Sequence, residues 1–126
     1  MSKKLLTHYC AILAVKNLQE SLDYYVGKLK FEETDSYGNP KYYAAIKRDD
    51  CEIIALLHQP GFPGPTATNS SLVFYSSDID TLYNEFVTAG VAIDEPIDDK
   101  EYMMREFRIK DPNGYLIVFQ QPIVKK

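Results

Sequence analysis

The side chains of this chain that could do chemistry are few and poorly spaced for it. Its 126 residues include two histidines, His8 and His58, and two cysteines, Cys10 and Cys51. A nucleophilic thiol needs a neighbouring base; His8 is only a strand neighbour of Cys10, and no Ser-His-Asp or Cys-His arrangement is readable. No glycine-rich phosphate loop appears. His58 closes an apolar run beside a flexible stretch, where it reads as a solvated strand end that could also hydrogen-bond a ligand. Glu52 and Glu106 are the candidate contacts for a cationic ligand, although Glu106 adjoins Arg105 and Arg108, so a local ion pair competes for it. Asp94, Glu95, Asp98, Asp99 and Glu101 form an acidic run, read as a solvated loop that could attract a cation.

Aromatic chemistry is better represented. Ten tyrosines are spread over the chain. Aromatic walls bearing a few hydroxyls suit a planar ligand bound by stacking. Tyr75 shares strand parity with Ser71 and Val73, and Tyr43 is the matching candidate earlier in the chain. Met103 and Met104 would make an adaptable lining. Phe62, between Gly61 and Pro63, is a large apolar group on an expected loop, placed to cover a cavity or meet a partner.

Elements that could position these residues follow from periodicity. Residues 8–15 read as a strand. Asn17 fits an N-cap, with Glu20 three residues on completing a capping box. Leu18, Leu22, Tyr25, Val26 and Leu29 then fall on one helical face. Residues 31–37, 42–48 and 51–58 read as three strands, giving β-α-β-β-β. The stretch His58–Ser70 is rich in Pro and Gly and reads as a linker. The order then restarts: a strand at 71–76, and a helix capped by Asp78, 61 residues after Asn17, with Ile79, Leu82, Phe86 and Val87 as its buried stripe. Residues 91–96 form a strand, 97–101 an acidic loop, and two last strands flank the turn Asp111-Pro112-Asn113-Gly114. The expected organisation is a single domain of two modules, about 1–58 and 71–126, joined by a linker at 59–70. Each curled sheet would leave one face uncovered, and two such faces can enclose a cavity.

Composition narrows the classes. With 45% hydrophobic and 25% charged residues, this is the make-up of a globular protein. A net charge of −4 without a basic cluster argues against a nucleic-acid surface. No apolar stretch approaches the roughly 20 residues of a membrane span. The N-terminal stretch reads as a strand rather than a signal peptide, so a cytoplasmic location is expected. Two cysteines make no disulfide framework and are read as reduced.

The segments MREFRIKDPNGYLIVF and AVKNLQESLDYYVGKLKF resemble the vicinal oxygen chelate superfamily, which includes glyoxalase I, extradiol dioxygenases and the fosfomycin- and bleomycin-resistance proteins; the first is similar to the bleomycin-resistance and glyoxalase-like branch. The resemblance covers almost the whole chain. It implies an α+β fold of two β-α-β-β-β modules in a curled, incompletely closed, eight-stranded barrel-like sheet, usually in a homodimer. It also implies a divalent metal held by inward residues on the first and last strand of each module. Those positions fall on Cys10, on Ile54 or Ala55, on Ser71 and on Val118. Hydrocarbon side chains cannot coordinate a metal and serine is a poor ligand, so even with His8 or Glu52 recruited the set is incomplete.

The expectation is therefore a metal-independent small-molecule-binding protein that sequesters a planar or cationic compound, as in antibiotic resistance. It would use no cofactor and touch neither nucleic acid nor membrane. Its expected wall residues are Cys10, Tyr43, Ile54, Phe62, Ser71, Tyr75, Met104 and Val118, with Glu52 and Glu106 as polar contacts. The alternative is a glyoxalase-like lyase or isomerase, or a dioxygenase, with a divalent metal in the cavity.

Overall fold

A computed structural model describes residues 3–66 and 72–124. Strand β1 (Ala11–Val15) leads into helix α1 (Leu18–Leu22), and β2 (Glu32–Gly38), β3 (Lys41–Lys47) and β4 (Ile54–His58) follow. The second half repeats the order with β5 (Leu72–Tyr75), α2 (Ile79–Thr88), β6 (Ile93–Asp99), β7 (Met104–Lys110) and β8 (Leu116–Pro122). The strands form two four-stranded sheets, ordered β1-β4-β3-β2 and β5-β8-β7-β6, and neither closes into a barrel. In both, the first strand runs parallel to the last and the other pairings are antiparallel.

Both helices start as the sequence predicts. The Asn17 side chain accepts from the Glu20 amide at 3.0 Å, and the Asp78 carboxylate accepts from the Thr81 amide at 3.2 Å. Each first helical amide is also held from the last strand of its own sheet: Leu18 N–H donates to His58 Nδ1 at 3.2 Å, and Ile79 N–H to Gln121 Oε1 at 2.8 Å. His58 is thus a structural cap.

Helix α1 passes into a π-helical stretch, Asp23–Lys28, where Leu29 N–H bonds the Tyr24 carbonyl five residues back. The wider turn keeps Tyr25 and Leu29 buried but rotates Val26 out to solvent, against its predicted place on the buried stripe. Val87 is likewise exposed, and Tyr83 packs on Phe107. The acidic stretch read as a loop belongs largely to β6, because Asp98 and Asp99 pair with Glu106 and Arg105 across the ladder.

The helix-covered sides of both sheets merge into one hydrophobic core. The turn at 111–114 joins the halves. Asp111 and Asn113 are buried. Tyr25 Oη donates to Asp111 at 2.7 Å, Lys16 N–H to Asn113 Oδ1 at 2.9 Å, and Tyr115 Oη to the Ala14 carbonyl at 2.9 Å. Gly114, at φ +97°, supplies the left-handed residue that closes the turn. Phe31 meets Phe74 edge to face, and Arg48 reaches Glu85 of α2 at 2.7 Å. Burial pushes the Asp111 carboxyl above its ordinary range, while donors from Tyr25, Asn113 and Tyr115 act in the opposite sense.

Candidate functional site

Strand parity separates each sheet into a helix-covered side and an open side. On the first sheet, Leu13, Val15, Ala44, Ile46, Ile54 and Leu56 enter the core. The alternate residues Ile12, Ala14, Tyr43, Ala45, Ala55 and Leu57 line the open side, where Ile12 is 67% exposed. On the second sheet Phe74, Phe107, Ile109, Ile117 and Phe119 go inward. Val73, Tyr75, Glu106, Arg108, Val118 and Gln120 face the open side. Tyr75 is 64% exposed there.

The second open face contains a hollow of about 430 Å³ lined by Val73, Glu95, Lys100, Tyr102, Glu106, Arg108, Val118 and Gln120. Its cations are already engaged. Arg108 binds Asp94 at 2.7 Å and Glu95 at 3.2 Å, and Lys100 binds Glu95 at 3.1 Å. Glu106 is not in the ion pair its sequence neighbours suggest, since Arg105 turns to Asp80 and Asp99. It accepts from Tyr102 Oη at 2.5 Å. That bond raises the Tyr102 phenol to about 12, so the hydroxyl stays a donor through neutral pH.

A second hollow, about 280 Å³, lies where the N-terminal segment and the β3–β4 connection meet β5. Tyr9, Ala11, Cys51, Glu52, Ile53, Val73 and Tyr75 are among its lining residues. Val73 belongs to both hollows.

The residues singled out from sequence fall into several places. Glu106 and Val118 share the first hollow, and Glu52 and Tyr75 the second. Tyr43 and Met104 have open-side parity on their strands. Cys10 is exposed just before β1. Ser71 lies outside the described residues. Ile54 also lines the second hollow, although its side chain packs into the core; its neighbour Ala55, paired with Ile12, has open-side parity. Phe62 stacks on Tyr115 at 6.0 Å and packs against the core, which anchors the chain after β4. Sequence reading missed Gln120, Tyr102 and Lys100. Gln120 could have been found by stepping two residues along β8 from Val118.

Of the positions where the resemblance implies a metal, the strand pairing settles two: Ala55, opposite Ile12, and Val118, opposite Val73. Both are hydrocarbon; Cys10 precedes β1, and Ser71 lies outside the described residues. Among the described residues no group of three or more His, Cys, Asp and Glu has ligand geometry. The residues present do not fit the implied metal.

Comparison with known proteins agrees with this architecture. The profile of the Glyoxalase/Bleomycin resistance protein/Dioxygenase superfamily matches residues 6–119. TioX from Micromonospora sp. ML1 superposes with a TM-score of 0.72 at 19% identity, over 93% of this chain and 99% of its own. TnmS3, an antibiotic binding protein from Streptomyces sp. CB03234, gives 0.70 at 19% identity, over 94% and 99%. A glyoxalase/bleomycin resistance protein/dioxygenase from Alicyclobacillus acidocaldarius gives 0.78 at 14% identity, over 92% and 91%. No protein of curated function matches by sequence. These likenesses establish the fold, and the profile match establishes the family: the chain belongs to the glyoxalase/bleomycin resistance protein/dioxygenase superfamily.

Proposed function

We propose that this chain binds a planar or cationic small molecule between open sheet faces and sequesters it without a metal ion and without making or breaking bonds. The observation that carries this reading is the character of the two faces. Ile12, Leu57, Val73 and Tyr75 leave broad apolar surface exposed. Exposed apolar patches flanked by polar groups are typical of ligand grooves and partner surfaces. Ala55 and Val118 occupy positions where a metal-dependent relative would need donor atoms.

A second copy of the chain is the expected cover for these faces, which makes the protein a homodimer with its ligand cleft at or near the contact. TnmS3, an antibiotic binding protein, is a precedent for small-molecule binding on this fold. Resistance is the corresponding role for this chain. Among the described residues no helix is long and apolar enough to cross a membrane.

Elemental analysis of protein purified without chelator, combined with a thermal-shift screen of bleomycin and polycyclic aromatic compounds, tests the reading. The expected result is less than stoichiometric transition metal and a ligand-dependent rise in melting temperature. A ligand at 100 times its Kd adds about 2.7 kcal/mol of stability. One tightly held transition metal per chain, lost on His8→Ala or Cys10→Ala, would overturn it in favour of a lyase, isomerase or dioxygenase.

A further inference from the structure

We infer that Glu106 and Gln120 form the specificity element of the second-sheet hollow, selecting a planar ligand that presents a protonated nitrogen edge, such as an aromatic amine or amidine. The inference rests on the binding function proposed above and names the ligand class that this face would take.

Glu106 and Gln120 are direct cross-strand partners on β7 and β8 and share the open side. Side chains so paired stand about 5 Å apart at Cβ. Each residue is only 9% exposed, and both line the same hollow. Glu106 Oε1 accepts from Tyr102, while Oε2 has no hydrogen-bond partner among the described residues. The Gln120 side-chain amide also makes no hydrogen bond among them, in contrast to Gln121, which caps α2 and bonds the Ser77 carbonyl. Neither is a sealed orphan, since among the described residues only the Tyr24 hydroxyl is both buried and unpartnered; the free atoms of Glu106 and Gln120 face the water of the hollow, which a ligand with matching polar groups could replace.

Charge accounting gives the sign of the missing partner. Two cations line the hollow, and both are held elsewhere: Lys100 on Glu95, Arg108 on Glu95 and Asp94. Glu106 hydrogen-bonds only a neutral phenol, with Lys100 near enough to feel its charge but bonded to Glu95. The remaining charge of the hollow is therefore negative and sits on Glu106 beside an amide that can both donate and accept. A flat molecule with an N–H donor for the carboxylate and a donor or acceptor for Gln120 satisfies both groups at once.

The ring that bonds Glu106 supplies a platform. Tyr102 sits in the β6–β7 turn with 58% of its surface exposed. Met103 N–H bonds the Lys100 carbonyl at 3.0 Å, and Met103 takes a left-handed φ of +66°. The tight turn and the short phenol bond together fix the Tyr102 ring at the edge of the hollow, where an aromatic ligand can stack on it.

Fluorescence titration with proflavine, a planar aminoacridine cation, and with anthracene-2-sulfonate, a planar anion, tests the inference. Proflavine should bind the wild-type protein at least tenfold more tightly. Glu106→Gln, which keeps the Tyr102 acceptor and removes the charge, should erase most of that preference. Tyr102→Ala should weaken both probes alike; unchanged binding would remove the ring from the site. Equal affinity of the two probes for wild-type protein overturns the inference while leaving cavity binding intact, and it does so even if Glu106→Gln fails to fold. If neither probe binds and no compound in the thermal-shift screen does, the function it rests on fails as well.

Discussion

Placed in common register, the open faces of the two sheets can be compared position by position. Ile12, Ala55 and Ala45 form one row across the first sheet, and Val73, Val118 and Arg108 form the equivalent row across the second. The next row is Ala14, Leu57 and Tyr43 against Tyr75, Gln120 and Glu106. The first face carries no formal charge in these rows and the second carries an acid, a base and an amide. The helix-covered sides stay apolar in both halves but differ in size: Ile46 and Ile54 correspond to Ile109 and Ile117, whereas Leu13, Leu56 and Ala44 correspond to Phe74, Phe119 and Phe107. The repeat has thus kept apolar character where the helices pack and changed polarity on the open faces. One face offers hydrophobic contact and the other hydrogen bonds and charge, so under the proposed function the halves would be complementary walls rather than equivalent sites.

The largest expected effects test whether the two cores are energetically alike. Phe119 packs against Phe74, Phe86 and Phe107 with ring centroids 5.1–5.2 Å apart. Phe119→Ala should destabilise by about 3–5 kcal/mol, and Leu56→Ala, at the equivalent site, by about 2–5 kcal/mol towards the lower end. Urea denaturation measures both. A loss for Leu56 equal to or above that for Phe119 would show that the aromatic stack adds nothing beyond its volume.

Next in size is the joint between the halves. Tyr25→Phe removes a donor from Asp111 and should cost about 1–3 kcal/mol. Burial raises the folded-state pKa of Asp111, so the folded protein holds this proton more tightly than the unfolded chain does. Its contribution is fully present below the ordinary carboxylate pKa and is lost as pH rises through the folded value. The Tyr25 bond opposes this rise, so Tyr25→Phe should extend the loss to higher pH. Identical pH profiles for variant and wild type would remove Asp111 from the joint.

A smaller effect tests the faces themselves. Leu57 is half-exposed on the first sheet, and Leu57→Gln gives it the residue that the second sheet has at that position. Stability should change by less than about 0.5 kcal/mol, as for a typical surface change. Affinity for a planar probe should drop about tenfold, which is the loss of about 1.4 kcal/mol of apolar contact. Unchanged binding would show that the first face is not a wall of the cleft.

Much of the scaffold was legible in the sequence because local signals carry it. Asn17 and Asp78 announced their helices, Asp111 to Gly114 announced the last hairpin, and the 61-residue spacing announced the repeat. Local signals failed where tertiary structure decided. No periodicity rule anticipates the π-helical turn that exposes Val26. Ile54 and Ala55 are both apolar, and only the pairing of β4 with β1 shows which one faces outward. Glu106 was singled out, but its hydrogen-bond partner was not, because Arg105 and Arg108 are nearer in sequence while Tyr102 is brought close by the hairpin. Gln120 carried no signal of its own, and Gln121 beside it serves the fold instead.

The smallest expected difference lies in the two N-caps. Asn17 and Asp78 hold equivalent helices in equivalent ways, but only one of them titrates. The Thr81 hydroxyl donates to the Asp78 carboxylate at 2.7 Å and the Thr81 amide does so at 3.2 Å, and these bonds lower its pKa from the usual value. A carboxylate depressed in the folded state stabilises fully above its unfolded pKa and loses that contribution as pH falls through the folded value. Acid should therefore weaken α2 before α1. Asp78→Asn keeps a good cap and removes the titration, so its stability should vary less with pH than that of wild type in the acid range, with the two curves converging as Asp78 is protonated. Thr81→Val, which removes the hydroxyl donor, should move the wild-type transition to higher pH. If Asp78→Asn and wild type lose stability in parallel on acidification, the charge of this cap is irrelevant and the two helix starts are equivalent in energy as well as in geometry.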